Sequence, residues 1–326
     1  MDVRSNEADR IARVKFDRAP APASNFRATA HLLPVITHAW RVASWSLDMD
    51  YVRPADVVNS MIDAGLKKLA LPPRDLLIRG ALSGALLGAA TALAVTAAVT
   101  TGQPLVGALI FPVGLVIIVL LGLELVTGSF ALVPLARLER RASWGAVLTN
   151  WSWVYLANLL GSVAFGLLIA VSLTNMGKTG VAGVAARIVS IAEGKTIANE
   201  ALGAAGMVTL FVKGILCNWL VSLGVVLAMT SNSTIGKIAA TWLAIFLFFA
   251  LGFEHAVVNM FLIPTGMLLG AKIGIYDWWV WNQIPVTLGN FVGGFVFTGL
   301  ALYTTYKPTE VSSTAQAVTA PKALAS

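Results

Sequence analysis

The chain has 326 residues, 57% of them hydrophobic and only 12% charged, where a soluble domain carries about a quarter. With a mean hydropathy of +0.78, this excludes an ordinary water-soluble globule and makes lipid the expected solvent. The formal net charge is +7, yet no basic stripe with interleaved aromatics marks a nucleic-acid surface, and the single cysteine, Cys217, excludes an internal disulfide.

In chain order, residues 1–52 read as a polar tail without the apolar core of a secretory signal. Residues 54–70 carry Val57, Val58, Met61, Ile62, Leu66 and Leu69 at amphipathic spacing, which predicts a helix on the membrane surface. Six apolar stretches follow, at roughly 78–100, 104–136, 147–173, 206–230, 238–270 and 284–304, each long enough to span a hydrocarbon core. The second and fifth are too long. At about 1.5 Å per residue each would reach about 48 Å, against a core of about 30 Å. Both also hold polar residues midway, Glu124 and Thr127 in one and Glu254, His255 and Asn259 in the other. Tilt explains length but not central carboxylates, so both helices are predicted to be broken. The Gly/Ala-rich segment 174–205 reads as a surface helix or loop, and residues 306–326 as a second tail.

Basic residues give the orientation. Arg137, Arg140, Arg141, Lys237 and Lys307 fall on one side, and Lys178, Arg187, Lys195 and Lys272 on the other. The side holding the amino tail is richer, so both termini are expected in the cytoplasm and the chain in the inner membrane.

The two halves echo each other. Gly122-Leu123-Glu124-Leu125 recurs 130 residues later as Gly252-Phe253-Glu254-His255. Asn150, Asn158, Gly161 and Ser162 recur 132 residues on as Asn282, Asn290, Gly293 and Gly294, and Arg79-Gly80 recurs 134 on as Lys213-Gly214. Each unit holds three spans, so the second copy is expected to sit inverted, with a site where the two breaks meet. Close helix packing by Gly and Asn is the plainer account of the same residues.

An ionised group at mid-bilayer costs about 2.5–3.5 kcal/mol on insertion scales. Glu124 and Glu254 must therefore be protonated, bonded or facing water. Their favoured role is to accept from backbone N–H groups freed at the breaks, with a proton relay as the lesser alternative. His255 is the one histidine inside a span, since His31 and His38 lie in the amino tail. It is either a satisfied packing residue or a donor to a passing anion, and Asn259, four residues on, is placed to orient it. Thr127 and the Gly128 N–H offer donors at the other break. Phe111, Leu115, Leu125, Val126, Val221 and Phe248 are candidates for apolar constrictions that gate by dewetting. No metal-ligand cluster, nucleophilic triad or phosphate-binding loop is apparent, so no cofactor, no metal and no enzyme activity are expected.

At these residues the sequence resembles the formate–nitrite transporter family. The resemblance rests on Phe111 to Ser129 (FPVGLVIIVLLGLELVTGS), Lys213 to Val221 (KGILCNWLV), Gly252 to Pro264 (GFEHAVVNMFLIP) and Ile284 to Gly294 (IPVTLGNFVGG), and covers about residues 53–305. It implies an all-α membrane protein with an aquaporin-like inverted repeat of six helices, the second and fifth broken, and a pore through each protomer of a homopentamer. It implies transport of formate, nitrite or related weak-acid anions, often with a proton. By position, Thr127, His255, Asn259 and Asn218 match the family's pathway residues. Leu115, Leu125 and Phe248 match its cytoplasmic constriction, and Phe111, Val126 and Val221 the outer one. The chain departs from the family at Leu202, where many members have a vestibule lysine; Lys195 serves only if about seven residues are inserted. It departs again at Gly128-Ser129, where Gly-Asn is common, and in its longer amino tail. A neutral-solute channel for water or polyols is the alternative, but its paired Asn-Pro-Ala signature is absent. A membrane enzyme or sensor subunit is a third reading, favoured only by the charged tail.

Overall fold

The computed structural model describes residues 50–307; both tails, with His31 and His38, lie outside the described residues. Helix α1 spans Pro54–Leu69. It starts at a proline whose fixed φ suits a first turn, and ends on Lys67 and Lys68, cations that suit a helix C-terminus. Next come α2 (Pro73–Thr101), α3 (Pro104–Leu120), α4 (Val126–Leu138), α5 (Trp144–Leu173), α6 (Val184–Lys195), α7 (Ala204–Ala228), α8 (Thr234–Ala250), α9 (Ala256–Leu268) and α10 (Ile275–Tyr306). Four of these, α2, α5, α7 and α10, are long and apolar enough to cross a membrane. Helices α3 and α8 are shorter apolar helices, as are α4 and α9.

Both carboxylates lie in short stretches that are not helical. After α3 the chain turns at Gly122 (φ 61°), runs extended to Leu125 and restarts as α4. After α8 it turns at Gly252 (φ 66°), runs extended to His255 and restarts as α9. A left-handed φ costs glycine little and other residues about 1–2 kcal/mol, which accounts for glycine at both turns.

Packing repeats between the halves. Helix α2 lies along α5, and α7 along α10. A Cβ on Gly161 would overlap the Ala81 carbonyl, and one on Gly293 the Ile215 carbonyl. These two glycines therefore set how closely each pair approaches. Helix α1 packs on α4, and α6 on α9. This corrects one expectation. The apolar face of α1 does not lie on a lipid surface but is buried on Ala131, Leu132 and Leu135. Of the two readings of segment 174–205, helix or loop, residues Val184–Lys195 take the helix, with Ala185, Ile188 and Ala192 buried. Segment α6 is thus the second half's counterpart of α1.

Candidate functional site

Where a helix restarts inside a low-dielectric core, its first N–H groups and the carbonyls of the preceding extended residues have no water to bond. Two asparagines solve this. Asn158 on α5 accepts from the Val126 N–H at 2.9 Å through Oδ1, and its Nδ2 donates to the carbonyls of Gly80 and Glu124 at 2.9 Å each. Asn290 on α10 accepts from the Ala256 N–H at 2.8 Å, and donates to the carbonyls of Gly214 at 2.8 Å and Glu254 at 2.9 Å. The same atoms do the same work 132 residues apart, and both asparagines are fully buried. Each ties its own helix to three other elements of its half: α2 or α7, the extended turn and the restarting helix.

The two carboxylates are not held by backbone amides, contrary to the sequence expectation; the asparagines take the first amide of each restarting helix, that of Val126 and of Ala256. Glu124 instead receives Lys68 Nζ at 2.8 Å, and Glu254 receives Lys195 Nζ at 2.8 Å. The lysines stand at the C-terminal ends of α1 and α6, and their backbone carbonyls are held by Asn150 (3.1 Å) and Asn282 (2.9 Å). A buried carboxylate with a bonded ammonium avoids the cost of a bare charge in lipid.

Thr127 and His255 join the two turns. Thr127 Oγ1 lies 3.1 Å from His255 Nε2, and both residues are buried. His255 also caps its own helix, its Nδ1 accepting from the Val258 N–H at 3.2 Å. A ring nitrogen that accepts carries no proton, so the proton of the neutral ring sits on Nε2 and is donated to Thr127 Oγ1. The threonine hydroxyl keeps its own proton for another acceptor. Asn218 on α7 ties this centre to the second half, donating through Nδ2 to the carbonyls of Thr127 (3.0 Å) and Asn290 (2.6 Å).

Two cavities of about 600 Å³ and about 590 Å³ flank this centre. The first is lined by Lys67, Lys68, Arg79, Glu124 and Lys237, with Leu115 and Leu125 in its apolar wall. The second is lined by Arg187, Lys195 and His255, with Phe248 in its wall. Each cavity therefore presents more cationic than anionic groups to a solute small enough to enter.

The family model described as Formate/nitrite transporter matches residues 55–304. The chain belongs to this family. It is 41% identical over 214 residues to a probable formate transporter of Methanothermobacter thermautotrophicus, covering 62% of this chain and 75% of that protein. The fold is similar to that of an FNT family ion channel, with a TM-score of 0.68 at 28% identity, over 78% of this chain and 99% of the other. It is also similar to a pentameric formate channel with formate bound, with a TM-score of 0.59 at 26% identity, over 72% and 97%. The family and the apolar helices make this formate/nitrite transporter homologue a multi-pass membrane protein of the transport class.

Several predicted site residues stand elsewhere than the sequence implied. Asn259 does not orient His255: its Nδ2 donates to Glu254 Oε2 at 2.7 Å and to Asn282 Oδ1 at 2.8 Å. Phe248 shares a cavity with His255, opposite to Leu115 and Leu125, with which it was grouped. Phe111, Val126 and Val221 line neither cavity and are buried in one apolar cluster with Leu115, Leu125 and Phe248. Phe111 makes an edge contact with Phe248 at 5.7 Å between ring centroids. Lys195 reaches the second cavity from the end of α6, whereas Leu202 is exposed. Lys68, Asn158, Asn282 and Asn290 were not singled out as site residues. The 132-residue recurrence of the asparagines was the available signal. The lysines gave none, since their helices look unrelated in sequence.

Proposed function

We propose that the protein is a transmembrane channel for small monovalent weak-acid anions of the formate and nitrite class, with a central histidine involved in proton handling. In this reading α3 with α4, and α8 with α9, each cross the bilayer as one interrupted helix. With α2, α5, α7 and α10 this gives six spans arranged as an inverted repeat. The path runs through each protomer of a homopentamer in the inner membrane, with both termini in the cytoplasm. The likeness to a pentameric formate channel with formate bound supports the anion and the assembly.

One observation carries the reading: a neutral imidazole and a hydroxyl, 3.1 Å apart and buried, stand between two cavities rich in cations. An anion is drawn into a cavity by its Lys and Arg side chains. It then meets the apolar side chains of Leu115, Leu125, Phe111, Val126, Val221 and Phe248, too dry for a hydrated charge. There the His255 Nε2–H and the Thr127 hydroxyl proton are its donors, helped by the positive ends of α4 and α9. Sharing a proton with the anion removes most of a desolvation cost of several kcal/mol. His255 carries an extra proton only by giving up Nδ1 as acceptor for Val258, so proton loading and the first turn of α9 are coupled.

The test is flux into proteoliposomes. Stopped-flow entry of formate and nitrite, with glycerol excluded, is the expected result. Glycerol entry at the formate rate overturns the reading in favour of a neutral-solute channel.

A further inference from the structure

The two carboxylate–lysine pairs look alike, with equal 2.8 Å bonds and each lysine side chain 17% exposed. Their hydrogen-bonding partners differ at the position of Asn259. In the second half, Glu254 Oε1 takes Lys195, while Oε2 takes Asn259 Nδ2 at 2.7 Å and Asn282 Nδ2 at 3.5 Å. Asn259 also donates to Asn282 Oδ1, so the lysine and both carboxamides converge on the Glu254 carboxylate, with Asn259 Oδ1 the one side-chain atom of that set left without a partner. In the first half, the residue 130 positions before Asn259 is Ser129. Asn150 occupies the seat of Asn282 and makes the same bond to the lysine carbonyl. The serine side chain is too short to play the carboxamide's part. Ser129 Oγ, fully buried, and Asn150 Oδ1, on a residue 3% exposed, are left without a hydrogen-bond partner. Glu124 has Lys68 as its one protein donor among the described residues.

We propose that Ser129 is a positioning residue that makes Lys68–Glu124 the releasable pair and Lys195–Glu254 the locked one. Buried polar atoms seldom stay unpaired, and a water molecule bonds two to four such groups where the site is polar. One water seated at Ser129 accepts from its hydroxyl and donates to Asn150 Oδ1 and Glu124. An exchangeable water is a weaker tether than a covalently held carboxamide. The Lys68 ammonium therefore leaves Glu124 more readily than Lys195 leaves Glu254, and offers its charge to an anion in the first cavity. That consequence for anions rests on the function proposed above; the release itself does not.

The test reads release directly. The detergent-solubilised full-length protein is pulsed with a sulfonated N-hydroxysuccinimide ester, and labelling is followed peptide by peptide by mass spectrometry. With equal exposure, Lys68 is expected to label about tenfold faster than Lys195, the factor carried by one charge-assisted hydrogen bond. Ser129→Asn brings Lys68 down to the Lys195 rate, and Asn259→Ser raises Lys195 towards the Lys68 rate. A density map of the wild type at high resolution shows a water bonded to Ser129 Oγ and Asn150 Oδ1. Equal labelling in the wild type, a Lys68 rate unmoved by Ser129→Asn, or a Ser129 hydroxyl bonded back to the Leu125 carbonyl with no such water each overturns the proposal. None of these readouts requires transport, so they fail separately from the channel reading.

Discussion

Thr127 and His255, 128 residues apart in sequence, meet at 3.1 Å between Oγ1 and Nε2, each at the start of a helix that resumes after an interruption. The contact needs both turns in register at once, because each turn is held by its own asparagine and no strand or disulfide links them among the described residues.

The asparagine at each turn is the first part to test. Asn290→Ala strips the partner from the Ala256 N–H and from the carbonyls of Gly214 and Glu254, all deep in the core. At about 1–3 kcal/mol for each buried group left unpaired, a loss of about 3 kcal/mol or more is expected, read as a lowered Tm in detergent. Asn290→Asp keeps the acceptor but sets a carboxylate against two carbonyls, and is expected to be worse. A Tm for Asn290→Asp at or above the wild-type value would show that the amide is not the essential donor.

The Thr127 hydroxyl is separable from its bulk. Thr127→Val keeps the shape and removes one buried hydrogen bond, worth about 1 kcal/mol. Formate flux in proteoliposomes is expected to fall about fivefold to tenfold on that scale, with Tm modestly lowered because the His255 Nε2–H loses its acceptor. Flux equal to the wild type would remove the hydroxyl from the pathway.

The buried pair Lys195–Glu254 is expected to be worth more to the fold intact than halved. Lys195→Met leaves an uncompensated carboxylate in the core, which costs about 3–5 kcal/mol. The double variant Lys195→Met, Glu254→Gln is expected to recover much of that loss. A double-variant cycle in chemical or thermal unfolding measures the coupling, and additive losses would contradict a direct ion pair.

Outside the membrane-spanning part, Asp50 ties the approach to α1 to the α7–α8 connection. Its carboxylate accepts from Ser231 Oγ at 2.9 Å and from the N–H groups of Asn232 and Ser233 at 2.8 and 2.7 Å. The Ser231 hydroxyl foremost, with these amides, holds the carboxyl below its ordinary value of 3.8. A lowered folded pKa means the anchor is fully present above the ordinary carboxylate range and lost as pH falls through the folded value. Hydrogen exchange at residues 229–234, corrected for the intrinsic rate at each pH, is therefore expected to be unchanged from pH 8 to pH 5 and to quicken only in stronger acid. Asp50→Asn is expected to quicken it at every pH, and slow exchange in that variant would show that the charge is dispensable.

Much of this architecture was readable before any coordinates, for a physical reason. Carboxylates inside apolar runs too long for one crossing conflict with a bilayer, and the non-helical turns lie at those carboxylates. The Gly and Asn recurrences likewise pointed at the two turns and at the Asn158 and Asn290 that secure them. The lysine partners were hidden, because α1 and α6 share a role without sharing a sequence pattern, and Lys68 and Lys195 are ordinary helix-terminal cations until the fold brings them to Glu124 and Glu254. The role of Asn259 was misread because helical spacing alone put it beside His255. In space, the carboxylate next door and Asn282 claim its amide. Sequence order says nothing about which cavity a wall residue lines, and Phe248 lines that of His255 rather than that of Leu115 and Leu125.

The account depends on solute passing the imidazole of His255. The most direct measurement is stopped-flow formate flux in proteoliposomes from pH 5 to pH 8, comparing the wild type with His255→Asn. The expected result is a pH-dependent flux in the wild type, and a reduced flux that no longer follows pH in the variant. Identical rates and identical pH profiles for the two proteins would contradict it.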